Sequence, residues 1–174
     1  QGKTRTMIPI GISEILKAVD GTLLWGDENG VVTNVVTDSR KAGKGSLFVP
    51  IVGERVDAHQ FIPQVMQAGA GVTFSSRKDV APAASGCCIY VEDTLAALQK
   101  AAAYYRSRFD IPVVGVTGSV GKTTTKEMIS AVLEKKYRVV KTQGNWNSQI
   151  GVALMMFELE PETELAIFEM GMSL

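Results

Sequence analysis

Residues 111–127 read IPVVGVTGSVGKTTTKE and join an apolar run, a glycine-rich turn and a polar segment that begins with lysine. The apolar run contains β-branched valines, which are typical of a strand buried in a parallel sheet. From Lys122 the apolar residues recur at spacings of three and four, as on one face of an α-helix. That pattern predicts a buried face of Met128, Ile129, Val132 and Leu133, with Lys126, Glu127, Glu134 and Lys135 on the surface.

The turn between the predicted strand and helix has the chemistry of a phosphate-binding loop. Glycines let backbone N–H groups curl around an anion, and the helix start adds unpaired N–H groups and the positive end of its dipole. Lys122 is expected to reach the β- and γ-phosphates of a nucleoside triphosphate, and the hydroxyl of Thr123 to bind Mg²⁺. The turn itself contains Gly118, Ser119, Val120 and Gly121.

The strict phosphate-loop pattern is not met, because Val116 stands where that pattern requires a glycine. The alternative is a glycine turn followed by a surface lysine. The strand before the turn and the helix after it favour phosphate binding.

Composition excludes several classes of function. The 174 residues are 45% apolar, with 18 basic and 18 acidic residues, and no dense basic tract indicates nucleic-acid binding. Lys3 and Arg5 are not followed by a long apolar segment, so we expect no signal peptide, no membrane insertion and a cytoplasmic location. Adjacent Cys87 and Cys88 fit neither a zinc site nor an easy disulfide, and are interpreted as apolar strand residues.

Predicted strands and helices alternate along the chain, which indicates an α/β fold. A helix beginning at Asp93 or Thr94 ends before Pro112, so the best domain boundary lies near residues 109–112. We therefore predict an N-terminal mixed α/β domain over residues 1–109 and the start of a P-loop parallel-sheet domain over residues 110–174. The second segment supplies only about three strands, so it is expected to be the beginning of a larger nucleotide-binding domain.

Polar side chains cluster where predicted strands end. The segment TDSR (37–40) follows a β-branched run, and the loop GERVDAH (53–59) follows another apolar strand. Asn145 and Asn147 lie in a turn after a later strand, and Glu169 ends the last strand. Such positions at strand ends are where ligands and metals bind in α/β sheets. The alternatives are polar turns, helix caps and a solvated glutamate, and His59, the only histidine, is compatible with a simple hydrogen-bonding role at a helix start.

Taken together, these motifs resemble the Mur ligase family, the ATP-dependent enzymes that add amino acids to the cell-wall precursor. The resemblance runs from Ile12 to Ser173 and rests on separated motifs in the family's order. These are TDSR, GERVDAHQF, TGSVGKTTTKEM, GNWNSQIG and FEMGMS.

The resemblance implies roles for individual residues. Thr123 and Glu169 would serve Mg²⁺, and Lys122, Asn145 and Asn147 would be catalytic. The first domain would bind the UDP part of the precursor through Ser39, Arg40, Glu54, Arg55, Asp57 and His59. ATP would be bound by Gly118, Ser119, Val120, Gly121, Lys122, Thr123 and Thr124.

The resemblance also implies substrates and a mechanism. The form of the motifs points to UDP-N-acetylmuramoyl-tripeptide and D-alanyl-D-alanine, joined through an acyl phosphate in peptidoglycan synthesis. The alternatives are a family member that adds the third residue and a free-standing UDP-sugar-binding module. Ala58 and Ala153 depart from the family's usual glycine and proline. The later catalytic regions of the family are absent from this chain, so it is expected to be an inactive N-terminal fragment of a protein that is monomeric at full length.

Overall fold

A computed structural model describes residues 7–118, 120–142 and 148–169. The chain forms two compact units. One is Ile8–Tyr104, and the other comprises the described residues from Tyr105 onward together with Met7. The division falls inside a helix, and the domain boundary near residues 109–112 stays a prediction.

The first unit is built on a five-stranded sheet with the order β2-β7-β6-β5-β4. Four neighbouring strands run parallel, and β2 pairs with β7 in the antiparallel sense at one edge. The strands are β2 (Thr22–Gly26), β4 (Asn34–Val36), β5 (Ser46–Phe48), β6 (Val72–Ser75) and β7 (Cys87–Tyr90). A separate antiparallel pair is formed by β1 (Ile10–Gly11) and β3 (Val31–Val32).

Helices lie before, between and after the parallel strands. The connections from β4 to β5 and from β5 to β6 contain helical segments, whereas the connection from β6 to β7 does not. The helices are α1 (Ile12–Ala18), α2 (Ile62–Gln67) and α3 (Thr94–Ser107), with short 3₁₀ helices at Ser39–Lys41 and Ala58–Phe61. In the 3₁₀ helices, Asp38 and Asp57 are the N-caps, and each accepts a hydrogen bond from a backbone N–H two residues later.

The core of the first unit lies against the central strands. Every residue of β5 and β6 is buried, because both faces of a central parallel strand are covered. Phe48 contributes to a cluster with Ile62, Val65, Met66 and Ala70. Cys87 and Cys88 are fully buried free thiols, and burial raises their pKa to about 11 and about 12. They therefore stay protonated and act as apolar strand residues.

The second unit contains a three-stranded parallel sheet with the order β8-β10-β9. The strands are β8 (Val113–Val116), β9 (Val139–Lys141) and β10 (Leu165–Glu169), and the helices are α4 (Lys122–Leu133) and α5 (Gln149–Met156). The hydroxyl of fully buried Tyr105 donates to the carbonyl of Leu159, and its ring packs on Phe109 and Phe157. Tyr105 and Phe109 are thus packing residues.

The α/β class with parallel sheets is confirmed, and the differences lie in single elements. Strand β2 was not predicted, because its half-buried edge position and its register shift between Leu23 and Trp25 leave no clear alternation. Helix α1 begins at Ile12, with Gly11 as its N-cap. Among the described helices, none is long and apolar enough to cross a membrane.

Replacing Phe48 by alanine should destabilise the first unit by about 3–5 kcal/mol, because the phenyl ring is fully buried and its removal leaves a cavity. Val52→Ala is the matched control, since Val52 is 59% exposed and should change stability by less than about 0.5 kcal/mol. Urea unfolding followed by circular dichroism measures both. Equal stabilities for the two variants would contradict the assigned core.

Candidate nucleotide-binding site

The glycine turn between β8 and α4 adopts the backbone conformation that glycine permits. Gly118 has φ +141° and Gly121, the N-cap of α4, has φ +76°. Helix α4 then begins at Lys122, so its first N–H groups lie directly after the turn. The side chain of Val120, within the turn, is 89% exposed to solvent. Ser119 lies outside the described residues.

Thr123 and Glu169 are brought together although they lie far apart in sequence. The Thr123 hydroxyl is 3.1 Å from each carboxylate oxygen of Glu169 and donates a hydrogen bond to this group. Glu169 pairs in register with Val116, the last residue of β8, and is buried at the end of β10. The carboxylate therefore lies beside the strand that leads into the glycine turn.

This pair has the donor chemistry that a magnesium ion requires. Mg²⁺ prefers hard oxygen ligands, and one hydroxyl and one carboxylate, together with phosphate oxygens and water, make a usual set. Among the described residues, no group of three or more His, Cys, Asp or Glu side chains forms a protein-only metal site. Thr123 and Glu169 thus fit an ion that is shared with a phosphate ligand.

Lys126 is buried, contrary to the surface position expected from the helical pattern. Its side chain is 1% exposed, and its Nζ donates to the carbonyl of Thr142 at 2.7 Å. The same Nζ is 3.5 Å from Oε2 of Glu169 and 3.6 Å from Oε1 of Glu127. The polar partners supplied by β9 and β10 explain the difference, because they make burial of an ammonium group possible.

The predicted apolar face of α4 is only partly correct. Ile129 and Leu133 pack against the cluster of Val116, Leu165 and Ile167. Met128 and Val132 are each 67% exposed. The expectation that they are buried is therefore wrong for the described structure, because the three-stranded sheet covers a narrower stripe of the helix than the sequence pattern suggests.

Ion pairs continue from the site along the outer side of α4. Nζ of Lys141 lies 3.0 Å from Glu127 and 3.4 Å from Glu134. The hydrogen bond from Lys141 holds the pKa of Glu127 below its ordinary value, and that from Ser130 does so for Glu134. These contacts link α4 to β9 on the exposed side of the unit.

The remaining predicted residues of this site are only partly described. Lys122 is half-buried at the first position of α4, and Thr124 is exposed in the same turn. Asn145 and Asn147 lie outside the described residues, so their predicted catalytic role has no structural test here. The roles assigned to Gly118, Val120 and Gly121 likewise stay predictions.

In the first unit, the segment after β4 is organised by a local ion pair. The guanidinium of Arg40 binds both carboxylate oxygens of Asp38 at 3.0 and 2.8 Å, and its side chain is 84% exposed. The hydrogen bond from Arg40 lowers the pKa of Asp38 to about 2. Ser39 is half-buried at the start of the 3₁₀ helix.

The loop after β5 is held by a buried histidine. The backbone N–H of Ser76 donates to Nε2 of His59 at 3.0 Å, so the ring proton lies on Nδ1 and is donated to Asp57 at 2.6 Å. Asp57 also accepts from the backbone N–H of His59 and from Arg77. Burial acts to raise the pKa of Asp57, but these donors outweigh it and hold the pKa below its ordinary value.

This network separates the predicted substrate residues into two kinds. His59 is buried with both ring nitrogens engaged, whereas Glu54 and Arg55 are exposed in the loop. Ser76 and Arg77, which complete the network, were missed by the sequence analysis. They follow β6, so their position after a strand was the only available signal.

Helix α4 follows a parallel strand through a glycine turn, and a carboxylate from the adjacent strand end meets its first turn. That is the construction of a P-loop-type nucleotide-binding protein. The protein-family models that match this sequence agree with this class and identify one family within it. The description "Mur ligase family, catalytic domain" matches residues 31–106, and "Mur ligase middle domain" matches residues 116–174. Together these matches take in most of the chain, which belongs to the Mur ligase family.

Individual relatives give the same result. The chain is 44% identical over 168 residues to a UDP-N-acetylmuramoyl-tripeptide--D-alanyl-D-alanine ligase from Bacillus subtilis, covering 96% of the chain and 37% of that protein. It is 47% identical over 141 residues to the ligase of the same name from Synechocystis, and this match covers 81% of the chain and 31% of that protein. The chain therefore spans about a third of the length of these relatives.

Solved structures resemble the fold described above. A UDP-N-acetylmuramoylalanyl-D-glutamyl-2,6-diaminopimelate--D-alanyl-D-alanyl ligase from Acinetobacter baumannii matches with a TM-score of 0.87 and 34% identity, over 97% of this chain and 38% of that one. A ligase from Thermotoga maritima, solved in complex with ADP, matches with a TM-score of 0.73 and 35% identity, over 81% and 32%.

Asp38 should stay ionised well below the ordinary carboxylate range in the folded protein. We expect a carboxyl titration by carbon NMR to give a pKa of about 2, and Arg40→Ala to move it back toward 3.8. The stabilising contribution of the pair is present above pH 3.8 and is lost as the pH falls toward 2, because the folded state has the lower pKa. Arg55→Ala is the control and should leave this titration unchanged. A pKa near 3.8 in the unmodified chain would contradict the ion pair.

Proposed function

We propose that this chain is the N-terminal portion of an ATP-dependent ligase that joins D-alanyl-D-alanine to UDP-N-acetylmuramoyl-tripeptide. The observation that carries the nucleotide part of this proposal is the contact between Thr123 and Glu169 beside the glycine turn. The substrates are supported by the relatives, which are ligases named for these two substrates and which resemble nearly the whole chain.

In this proposal ATP binds at the turn between β8 and α4. The positive φ angles of Gly118 and Gly121 allow backbone N–H groups to face a phosphate, and α4 adds the N–H groups of its first turn. Lys122, at the first helical position, contributes its charge to the β- and γ-phosphates. Ser119, Val120 and Thr124 complete the proposed set, and a relative solved with ADP supports nucleotide binding at the corresponding fold.

Thr123 and Glu169 would hold Mg²⁺, because their oxygens lie together at the end of the sheet. When bound, the ion would neutralise negative charge on the transferred phosphoryl group. Within the protein, the buried position of Glu169 fixes the carboxylate relative to α4. The residues are thereby arranged before any ligand arrives, which is how electrostatic catalysis avoids reorganisation.

The first unit would hold the UDP part of the precursor. The segment with Ser39 and Arg40 follows β4, and the loop with Glu54, Arg55 and Asp57 follows β5. Since β4 and β5 are parallel neighbours, both segments leave the same edge of the sheet, where ligands bind in this architecture. Exposed Arg40 and Arg55 supply positive charge for a diphosphate, and His59 holds the loop through Asp57 and Ser76.

The proposed reaction follows acyl-phosphate chemistry. An oxygen of the precursor's terminal carboxylate bonds to the γ-phosphorus, and the bond to ADP breaks. The amine of D-alanyl-D-alanine then attacks the carbonyl carbon, loses a proton and displaces phosphate to form the amide. Lys122 stabilises the charge that develops during phosphoryl transfer, and Asn145 and Asn147 are proposed to position the reacting groups.

The proposal also covers the domain roles, the location and the oligomeric state of the protein. Residues 1–109 and 110–174 are the proposed UDP-precursor and ATP domains, and the protein works as a cytoplasmic monomer. The two alternative functions are addition of the third residue and UDP-sugar binding alone, and the activity assay below distinguishes both from the proposed one.

Lys122→Ala in the full-length protein should lower kcat/KM by about 10²–10³-fold, because it removes one preorganised charge from the transferred phosphoryl group. The assay is phosphate release that depends on both UDP-N-acetylmuramoyl-tripeptide and D-alanyl-D-alanine. Lys135→Ala, which removes an exposed lysine after α4, is the matched control and should retain full activity.

Dependence on a single amino acid instead of the dipeptide would indicate addition of the third residue. Precursor binding without nucleotide binding or turnover would indicate a binding module. Either result, or full activity of the Lys122 variant, would overturn the proposal.

A further inference from the structure

We infer that Lys126 is a positioning residue that aims the Glu169 carboxylate at Thr123 and so determines how strongly Mg²⁺ supports nucleotide binding. The inference rests on the proposed nucleotide site and assigns a role to a residue outside the phosphate loop. Lys126 does not itself contact the ligand in this account, because its side chain is 1% exposed and its Nζ faces Thr142 and Glu169.

Three chain segments converge on the Lys126 ammonium group. Helix α4 supplies Lys126, the residue after β9 supplies the Thr142 carbonyl, and the end of β10 supplies Glu169. The backbone N–H of Glu169 donates to the Thr142 hydroxyl at 3.0 Å, which closes the connection between the two strand ends. Thr142 is fully buried, and its own N–H donates to Ile167 at 3.1 Å.

Charge and burial explain why this network fixes Glu169. An ionised carboxylate that is 5% exposed requires a nearby opposite charge and hydrogen bonds. Lys126 supplies the charge from one side at 3.5 Å, and Thr123 donates to the carboxylate from the exposed first turn of α4. The carboxylate is therefore held between a buried cation and a hydroxyl of the first turn of α4.

Two effects of Lys126 on a bound cation oppose each other. Its positive charge repels Mg²⁺, whereas its contact with Glu169 keeps the metal-binding oxygens in place. Positioning is the larger effect, because the ammonium charge is already compensated by Glu169, Glu127 and the Thr142 carbonyl. Removing the charge should therefore weaken the contribution of Mg²⁺ and not strengthen it.

The test is calorimetric titration of the full-length protein with ADP, in MgCl₂ and in EDTA. The quantity compared is the dissociation constant in EDTA divided by the dissociation constant in MgCl₂. This ratio reports the contribution of the ion and requires no turnover. Lys126→Met should lower this ratio by about tenfold or more, while the dissociation constant in EDTA changes by less than about twofold. Lys126→Arg, which keeps the charge, should retain most of the ratio.

Ser130→Ala is the matched control. Ser130 is fully buried one turn further along α4 and bonds to Glu134, so its loss tests a local packing effect on the helix. It should lower thermal stability and leave the ratio unchanged. If Lys126→Met does not fold, Lys126→Gln takes its place, because it also removes the charge beside Glu169 but keeps a donor near the Thr142 carbonyl, and it should lower the ratio in the same way.

Each outcome separates the two proposals. An unmodified protein whose ADP affinity does not respond to Mg²⁺ would overturn both the metal site and this inference. A normal response that Lys126→Met leaves intact, or increases, would overturn only the positioning role. A loss of the ratio in Lys126→Arg as large as that in Lys126→Met would also overturn it.

Discussion

The contact between the Thr123 hydroxyl and the Glu169 carboxylate is the constraint on which the second unit depends. It joins the first turn of α4 to the end of β10, beside the point where β8 enters the glycine turn. A carboxylate that ends a buried strand is costly to desolvate, so its position must be supported by donors and an opposite charge. Lys126 supplies the opposite charge from inside the unit, and the Thr142 hydroxyl holds the end of β10 by accepting a hydrogen bond from the backbone N–H of Glu169.

In the first unit, paired polar groups likewise hold a loop in place. Asp57 is the common acceptor for His59 and Arg77, and the other ring nitrogen of His59 accepts from Ser76 after β6. His59 thereby connects the loop after β5 to the residues that follow β6, and both of its ring nitrogens have hydrogen-bond partners within the protein. Its neighbours Glu54 and Arg55 remain exposed. Both units thus place buried, fully paired polar groups behind exposed residues at the carboxyl ends of parallel strands, where α/β proteins bind ligands.

Local patterns were sufficient to predict much of this arrangement. The valines of β8, the glycine turn and the helix start at Lys122 are encoded within a few residues of one another, so the strand, turn and helix were predicted in the right order. The expected burial of the strand was wrong in part, because β8 lies at the edge of the described sheet and Val113 is 39% exposed. The burial of Lys126 was not predictable in this way, because its partners Thr142 and Glu169 belong to other elements. Met128 and Val132 follow a helical period, but the period does not say how wide a face the sheet covers. Strand β2 was missed because an irregular, half-buried edge strand carries no alternation.

The proposed function makes one central chemical claim, which is that the precursor's carboxylate is activated by phosphoryl transfer at the turn before α4. The most direct test uses the full-length protein with UDP-N-acetylmuramoyl-tripeptide labelled with ¹⁸O in its terminal carboxylate. Acyl-phosphate chemistry predicts that each turnover transfers one labelled oxygen to inorganic phosphate, in the presence of D-alanyl-D-alanine, and that ADP is the other product. Label recovered in AMP, or phosphate formed without label, would contradict the account.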